Sequence, residues 1–523
     1  MKLISKFVNK YSAQIILGLI ICLALILRTY NLDKNPIGFF TDEASIGYNA
    51  YTIATQGADQ NGTIFPFFIR SFANPIIIYA SAPIVALLGL SEFSTRLSSA
   101  LLGSLTIFAI YFLSKELFSK YKYRNHIALI SAFFLAISPW HIHFSRVAFD
   151  LIPFVFFATL GLYFFLKALN NIKFLFISTF MFALGAYAYY PARIFIPLFL
   201  LSTLIVYLQF VIKNKKLFIL NFIFLGILLI PIAKHMFFQN GIDRWNQVDI
   251  FTHVEKGQSV PFHILNNYLS HFSLDFLFLK GDVGMPGQFV TRHSVHNMGE
   301  LYFFQLPLLI LGFWYLFSKR EKRILSLIML WFILYPVGSM FTLDESAQAT
   351  RSIIGIIPFQ ILSAIGLYYL LILFSKFKKL LNYFSIFSIL IIIFASFIYY
   401  LNLYFIKYPL YSSGYYGWQY GYRSIMDTLK RQSGNFDEML ITHRFNDGEE
   451  LLKFYNVVYN CTNCRGMSNP IFIDKTRKQL FAIRQADIDE AQKIYPQLSF
   501  DIQQTINLPN GETEFRIGTF VPK

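Results

Sequence analysis

The chain has 523 residues, of which 55% are hydrophobic, 19% aromatic and only 14% charged, with a formal net charge of +16. A soluble domain carries about 25% charged residues; here apolar runs recur from residue 13 to residue 405, so the composition describes a polytopic helical membrane protein. In a soluble protein this basic balance would point to a nucleic acid or another polyanion, but the Lys and Arg gather in short loops between apolar runs, as the positive-inside rule requires. A nucleic-acid partner is excluded on that ground.

The first apolar run, 11–28, follows Lys2, Lys6 and Lys10 and has no small-residue cleavage site after it, so it reads as a retained first helix. Further spans are expected at 94–114, 126–139, 150–168, 173–191, 194–212, 217–236, 301–318, 323–341, 352–374 and 383–405, each near the 17–25 residues that a bilayer crossing takes. The stretch 74–90, interrupted by Pro83, is expected to be re-entrant or interfacial. Crossing there would put the Lys115/Lys120/Lys122/Arg124 cluster outside and invert every later basic loop. About eleven spans then place the N-terminus in the cytoplasm and the segments 29–93, 140–149, 191–194, 237–300, 342–351 and 406–523 outside. The protein is expected to be a multi-pass component of the cell membrane, in contact with membrane lipid.

After residue 405 the character changes. Charge rises, and short alternating segments predict strands at 438–442, 479–484 and 515–520, with helices at 425–431, 449–455 and 488–495. The chain therefore divides into a membrane domain, 1–405, and a small extracytoplasmic α/β domain, 406–523. Cys461 and Cys464 form a lone C-x-x-C, too few ligands for a structural zinc site, and are expected to form a local disulfide in an oxidising compartment. Cys22, inside the first span, reads as a packing residue.

The unusual residues lie on the outer face. Asp42 and Glu43 open a helical stretch running to about residue 55. Thr41 is a good N-cap, and acids in a first turn complement the helix dipole, so the pair is either helix punctuation or chemistry at the membrane surface. Between two spans, Trp140, His141, His143, Arg146 and Asp150 crowd ionisable groups beside hydrocarbon, where such groups pair or function. Arg146 and Asp150 are one helical turn apart and could simply pair; Trp140 reads as an interfacial anchor. Tyr190-Pro191-Ala192-Arg193 and the stretch Asp344-Glu345 to Arg351 place two more guanidinium groups outside. Each Arg alone could snorkel. Together, Arg146, Arg193 and Arg351 break the positive-inside trend and suit an anionic headgroup such as a lipid-linked phosphate. No P-loop, G-x-S-x-G, H-E-x-x-H or D-x-D pattern occurs in the outer loops.

This constellation resembles the membrane glycosyltransferases of the GT-C fold, and most closely family 39, the protein O-mannosyltransferases and aminoarabinose transferases. The likeness covers about residues 10–370. It rests on Arg28…Pro36…Asp42-Glu43, Glu92-x-x-x-Arg96-x-x-Ser99-Ala100, Ser138-Pro139…Ser145-Arg146…Asp150, and Arg351 with Pro358. It implies an all-α membrane domain with juxtamembrane helices and a sugar donor carried on a polyprenyl phosphate. It also implies inversion at the anomeric carbon and a catalytic acid in the first outer loop, which maps to Asp42. Glu43 and Asp150 are then supporting acids, Arg146, Arg193 and Arg351 bind the donor phosphate, and His141, His143, Tyr190 and Asn74 are candidates for substrate contact. Aminoarabinose transferases carry Lys before the Pro entering the 74–90 segment; this chain has Asn74-Pro75. No metal ligand set is assigned and no cofactor is required by this reading, with a divalent metal left open. The acceptor could be a protein, a lipid or a glycan. A ligase or polymerase of lipid-linked glycans is the alternative within enzymes, and a transporter or flippase outside them, although the charges cluster at span ends and no internal repeat is evident.

Overall fold

A computed structural model of the protein describes residues 2–69, 74–239, 241–253, 259–282, 290–343 and 346–523. Asp344 and Glu345 lie outside the described residues. Among the described residues, seven helices are long and apolar enough to cross a membrane: Ser12–Thr29, Glu92–Leu117, Leu151–Ala168, Lys215–Phe238, Lys322–Met340, Ile353–Phe374 and Lys379–Ser412. An eighth is the pair Arg124–Ile137 and Pro139–Ser145, bent by 58°. Pro139 causes the break, because its ring cannot donate to the preceding turn and clashes with it; Ser138 restarts the helix by accepting from the His141 N–H at 3.5 Å. Shorter apolar helices, Phe174–Ala188, Ala192–Val206 and Gln305–Ser318, lie where three further spans were expected. The helix Pro75–Leu88 has 14 residues, about 21 Å at 1.5 Å per residue, which is short of a hydrocarbon core of about 30 Å.

Two buried arginines tie the first helix to the bent pair, each capping the other's helix. The Arg28 guanidinium, fully buried, donates to the carbonyls of Leu135 (3.3 Å) and Ala136 (3.1 Å) at the C-terminal end of Arg124–Ile137. Arg146, also fully buried, donates to Leu27 (2.7 Å), Tyr30 (2.7 Å) and Asn35 (2.8 Å), where the first helix ends. The last carbonyls of a helix have no partner of their own, and a cation there also meets the negative end of the dipole.

The segment 30–43 is built around Arg96. This side chain is fully buried and makes a two-point ion pair with Glu43, 2.8 Å at both Nε–Oε1 and Nη2–Oε2. Its remaining donors reach the carbonyls of Leu32 (3.1 Å), Pro36 (3.0 Å) and Gly38. Glu43 also accepts from the N–H of Phe40 (3.3 Å) and of Ala148 (3.0 Å). Hence Thr41 is not the cap of the helix Thr41–Gln56. Phe40 occupies the N-cap position, Glu43 satisfies its amide, and the Thr41 hydroxyl donates to the Asp447 carbonyl at 3.1 Å.

The C-terminal domain has five strands: β1 (Glu438–Ile441), β2 (Cys464–Gly466), β3 (Gln479–Ile483), β4 (Leu498–Asn507) and β5 (Thr513–Pro522). They are ordered β2-β1-β3-β5-β4, with β2, β1 and β3 parallel and β5 and β4 antiparallel. The helices Tyr422–Gln432, Gly448–Tyr459 and Gln485–Ile494 accompany the sheet. Cys461 and Cys464 form a disulfide, so the expected local bridge is present.

This domain packs directly on the segment that carries Phe39 and Ala44. Phe39 and Ala44 join its hydrophobic core beside Leu451, Phe454 and Phe515. Buried Glu92 takes Arg423 Nε at 2.9 Å and a second Arg423 nitrogen, and accepts from the Tyr455 hydroxyl. Gly38 is required by close approach: a Cβ there would stand 2.1 Å from the Trp418 carbonyl oxygen.

Removing one member of a buried ion pair leaves the other charge uncompensated. Glu43→Ala is therefore expected to destabilise the folded protein by about 3–5 kcal/mol. Asp42→Asn, at an exposed neighbouring position, should change stability by no more than about 0.5 kcal/mol. Unfolding of the purified protein in detergent checks both, and equal losses would contradict this division of the pair.

Candidate active site

The two adjacent acids point to different places. Successive helical residues diverge by about 100°, so when Glu43 turns inward to Arg96, Asp42 is left exposed at the helix start. Its charge acts on two groups from distant segments. It adds to the burial that raises Asp150, and it supports the protonated form of Arg292, which burial depresses.

Asp150 is the hub of a short relay. Its Oδ2 accepts from Asn74 Nδ2 at 2.8 Å, and Asn74 Oδ1 accepts from Arg193 Nη2 at 2.9 Å. Arg193 lies over the Tyr190 ring at 3.9 Å and the Phe68 ring at 5.4 Å, while the Tyr190 hydroxyl is 3.5 Å from His235 Nε2. Asp150, Asn74, Arg193 and Tyr190, expected separately, are therefore brought together. Among the described residues, Asp150 Oδ1 and Arg193 Nη1 are buried polar atoms with no hydrogen-bond partner. Buried polar groups are nearly always paired, so these two mark a place where a polar ligand fits.

Burial pushes the Asp150 carboxyl up to about 7, with Asp42 adding to the rise and Asn74 and Arg193 opposing it. An acid poised there can hold or release a proton near neutral pH.

Arg292 supplies a cation that the sequence pattern did not single out, since it lies in a long loop without periodicity. Its carbonyl is gripped from two sides: His143 Nε2 stands 2.7 Å away and the Tyr408 hydroxyl donates at 2.9 Å. A carbonyl only accepts, so His143 carries its proton on Nε2. Trp418 Nε1 in turn donates to the Tyr408 oxygen at 2.6 Å. The guanidinium lies over the Phe40 ring at 3.9 Å and gives Nη1 to the Tyr416 carbonyl at 3.1 Å. Its Nε is a further buried atom without a partner among the described residues.

Arg351 donates to Thr342 Oγ1 at 2.6 Å. Gly338 packs between the Pro191 turn and the Arg351 backbone; a Cβ there would stand 2.6 Å from Pro191 Cβ and 3.1 Å from the Arg351 oxygen. The Arg351 charge also lowers His271 and His293 in the neighbouring loop, adding to their burial.

Four expected site residues make contacts that hold the fold. Arg146 is committed to the carbonyls that end the first helix, so donor-phosphate binding by Arg146 is not what this geometry serves. His141 is buried with Nδ1 2.7 Å from Arg28, and His143 holds the Arg292 backbone. Glu43 is a supporting acid in a structural sense, through Arg96. Among the described residues, no three His, Cys, Asp or Glu side chains are grouped to hold a metal ion.

The fold is similar to that of ArnT from Cupriavidus metallidurans in the apo state, over 96% of this chain and 97% of that one, with a TM-score of 0.57 and 12% identity. The sequence signature of the dolichyl-phosphate-mannose-protein mannosyltransferases matches residues 73–233, under a third of the chain. ArnT from Cupriavidus metallidurans bound to undecaprenyl phosphate is similar over 96% of this chain and 97% of that one, with a TM-score of 0.54 and 12% identity. An oligosaccharyltransferase, AglB from Archaeoglobus fulgidus, in complex with an inhibitory peptide and a dolichol-phosphate, covers 87% of this chain with a TM-score of 0.55 and 15% identity. The same oligosaccharyltransferase tethered to an acceptor peptide covers 86%, with a TM-score of 0.53 and 17% identity. This chain spans only 64% and 59% of those two oligosaccharyltransferase chains. No curated protein matches the sequence.

The raised Asp150 has a pH signature. Its carboxyl keeps a proton to about pH 7 in the folded protein but loses it near pH 3.9 when unfolded. The folded state then binds the extra proton, so stability falls as pH rises from about 4 to about 7. Asp150→Asn should flatten that slope and be the more stable protein at about pH 8. Thermal unfolding across this range checks it, and an unchanged slope would contradict it.

Proposed function

We propose that this protein is an integral-membrane glycosyltransferase that moves a sugar from a polyprenyl-phosphate donor to an acceptor on the outer face, with Asp42 as general base. The observation that carries the reading is the contrast within the pair. Glu43 is consumed by a buried ion pair, while Asp42 stays exposed beside the Arg292 guanidinium and the Asp150–Asn74–Arg193 relay. The GT-C fold and the undecaprenyl phosphate bound by ArnT support a lipid-linked donor.

The chemistry is a single displacement. Asp42 accepts the proton of an acceptor hydroxyl as its oxygen attacks the anomeric carbon, within the hydrogen-bond reach that general-base catalysis requires. The bond between that carbon and the phosphate oxygen breaks on the opposite face, which inverts the configuration. The leaving group is a polyprenyl monophosphate, whose charge falls to Arg193, Arg292 and Arg351. Guanidinium forks match phosphate oxygens, and fixed cations in a site shielded from water stabilise developing charge strongly. Asp150 orients Asn74 and holds Arg193 by charge. Tyr190 supports Arg193 from beneath. The acceptor is a protein, lipid or glycan with a free hydroxyl.

Asp42→Asn is expected to lower sugar transfer from a polyprenyl-phosphate donor in vesicles by about 10²–10⁴-fold. Arg193→Ala and Arg292→Ala should each lower it by about 10²-fold or more. A folded Asp42→Asn protein with wild-type rates would remove Asp42 from the base role.

The basic loops place the N-terminus in the cytoplasm and the C-terminal domain outside. In a Cys22→Ala background, Lys120→Cys should react with impermeant maleimide only from the cytoplasmic side, and Lys475→Cys only from the outer side. Outer labelling at position 120 would overturn this orientation.

A further inference from the structure

We infer that the hairpin 57–68 is a lipid-contacting wedge, with Ile64, Phe65 and Phe67 seated among acyl chains at the bilayer boundary. This goes beyond sugar transfer and does not depend on the role of Asp42.

The chain turns back on itself after the helix Thr41–Gln56. Gly57 ends that helix with φ +68°, and Ala58 pairs antiparallel with Ile64. Asp59 builds the turn between them. Its Oδ1 accepts from the N–H groups of Asn61 and Thr63, both at 2.9 Å. Its own N–H donates to the Thr63 carbonyl at 3.0 Å, and its carbonyl accepts from the Gly62 N–H at 2.9 Å. The Gln60 N–H donates to Asn49 Oδ1 at 3.1 Å, and the Phe65 N–H to the Gly57 carbonyl at 3.0 Å. The N–H groups of residues 59–63 and 65 are therefore engaged, and Pro66 has none. That condition matters at a bilayer, where an unpaired backbone donor is costly. The Tyr79 hydroxyl then ties the hairpin to the helix Pro75–Leu88 by donating to the Pro66 carbonyl at 2.8 Å.

The large apolar side chains of this hairpin stay in the open. Ile64 is 76% exposed, Phe65 64% and Phe67 65%. Phe65 even holds a left-handed backbone, φ +39°, which is costly for a bulky residue. No residue from Gln60 to Ile69 is charged. A contiguous apolar patch of this kind marks an interaction site.

The neighbours say what covers it. The hairpin sits where two apolar helices end. Phe67 and Phe68 lie 6.4 Å and 5.7 Å from the ring of Tyr187, in the last turn of Phe174–Ala188. Phe68 also stacks at 4.1 Å on His235, in the last turn of Lys215–Phe238. That second helix is a candidate span with only 11% of its apolar window buried, and Ile227, Ile230, Phe237 and Phe238 are exposed along it. In a membrane those side chains face lipid, and the hairpin continues the same apolar surface at the end of the span. Aromatic side chains are enriched at that level. A protein partner would instead call for a polar rim, which an uncharged segment does not supply. Phe68 lies 5.4 Å from the Arg193 guanidinium, so the lipid boundary runs beside that cation.

The test is spin-label accessibility on the full chain in nanodiscs of phosphatidylcholine and phosphatidylglycerol. The background is Cys22→Ala, with Cys461 and Cys464 left bridged. A nitroxide is attached in turn at Ile64→Cys, Phe65→Cys and Phe67→Cys, and at Lys475→Cys on the C-terminal domain as an aqueous reference. Collisions with oxygen, which concentrates among acyl chains, are compared with collisions with a water-soluble nickel chelate. Oxygen should dominate at the hairpin positions, at a depth of about 5–10 Å, and nickel at position 475. Each variant carries one label, so a variant that does not fold leaves two others to decide. Nickel dominating at the hairpin positions would put them in water and overturn the proposal. Labels shielded from both reagents would mean that a second copy or another protein covers the hairpin, and would overturn it equally.

Discussion

The half of this protein that carries Asp42 depends on the buried ion pair between Arg96 and Glu43. Arg96 comes from the helix after the first outer loop and gathers that loop by its carbonyls, at Leu32, Pro36 and Gly38. Glu43 completes the pair and in doing so fixes the start of the helix that carries Asp42. Two charges of this kind are costly to bury, and geometry must be close to ideal to offset it; here both carboxylate oxygens and the Phe40 and Ala148 amides are used. The C-terminal domain then has a firm surface to dock on, with Phe39 against Phe454 at 4.7 Å and Glu92 taking Arg423. Position, more than propensity, is what this pair gives Asp42.

Charge in the membrane-facing half is divided by task. Arg28 and Arg146 spend their donors on helix ends and stay away from solvent, so they hold the first helix and the bent pair in one body. Arg193 and Arg292 make fewer such bonds: Arg193 donates to the Ala186 carbonyl and to Asn74, and Arg292 to the Tyr416 carbonyl, while His143 and Tyr408 grip the Arg292 backbone. All four keep one buried nitrogen without a partner among the described residues, so what distinguishes Arg193 and Arg292 is their proximity to Asp150 and Asp42.

Much of the architecture was legible in the sequence, because long apolar runs and basic loops follow directly from the bilayer. The strands β1, β3 and β5 were also readable by alternation. The three-residue β2 is too short for any period to show, and β4, an edge strand with mostly exposed residues, has too polar a pattern. In the site, the sequence named residues but not the partners they meet. Arg146 and His141 look functional because they are ionisable beside hydrocarbon, but the orphan carbonyls Arg146 satisfies and the Arg28 guanidinium that His141 faces belong to a segment far away in sequence. Asp42 and Glu43 are indistinguishable by local pattern, since both suit a first helical turn; only the position of Arg96 separates them. Arg292 left no mark, as nothing in its loop announces that His143 and Tyr408 converge on its backbone.

The most direct test of the account is the identity of the lipid that co-purifies with the Asp42→Asn protein, read by mass spectrometry of the extract. A base-deficient enzyme that still binds its donor should retain a polyprenyl monophosphate bearing a sugar. A polyprenyl diphosphate carrying a longer glycan, or no glycolipid at all, would contradict it.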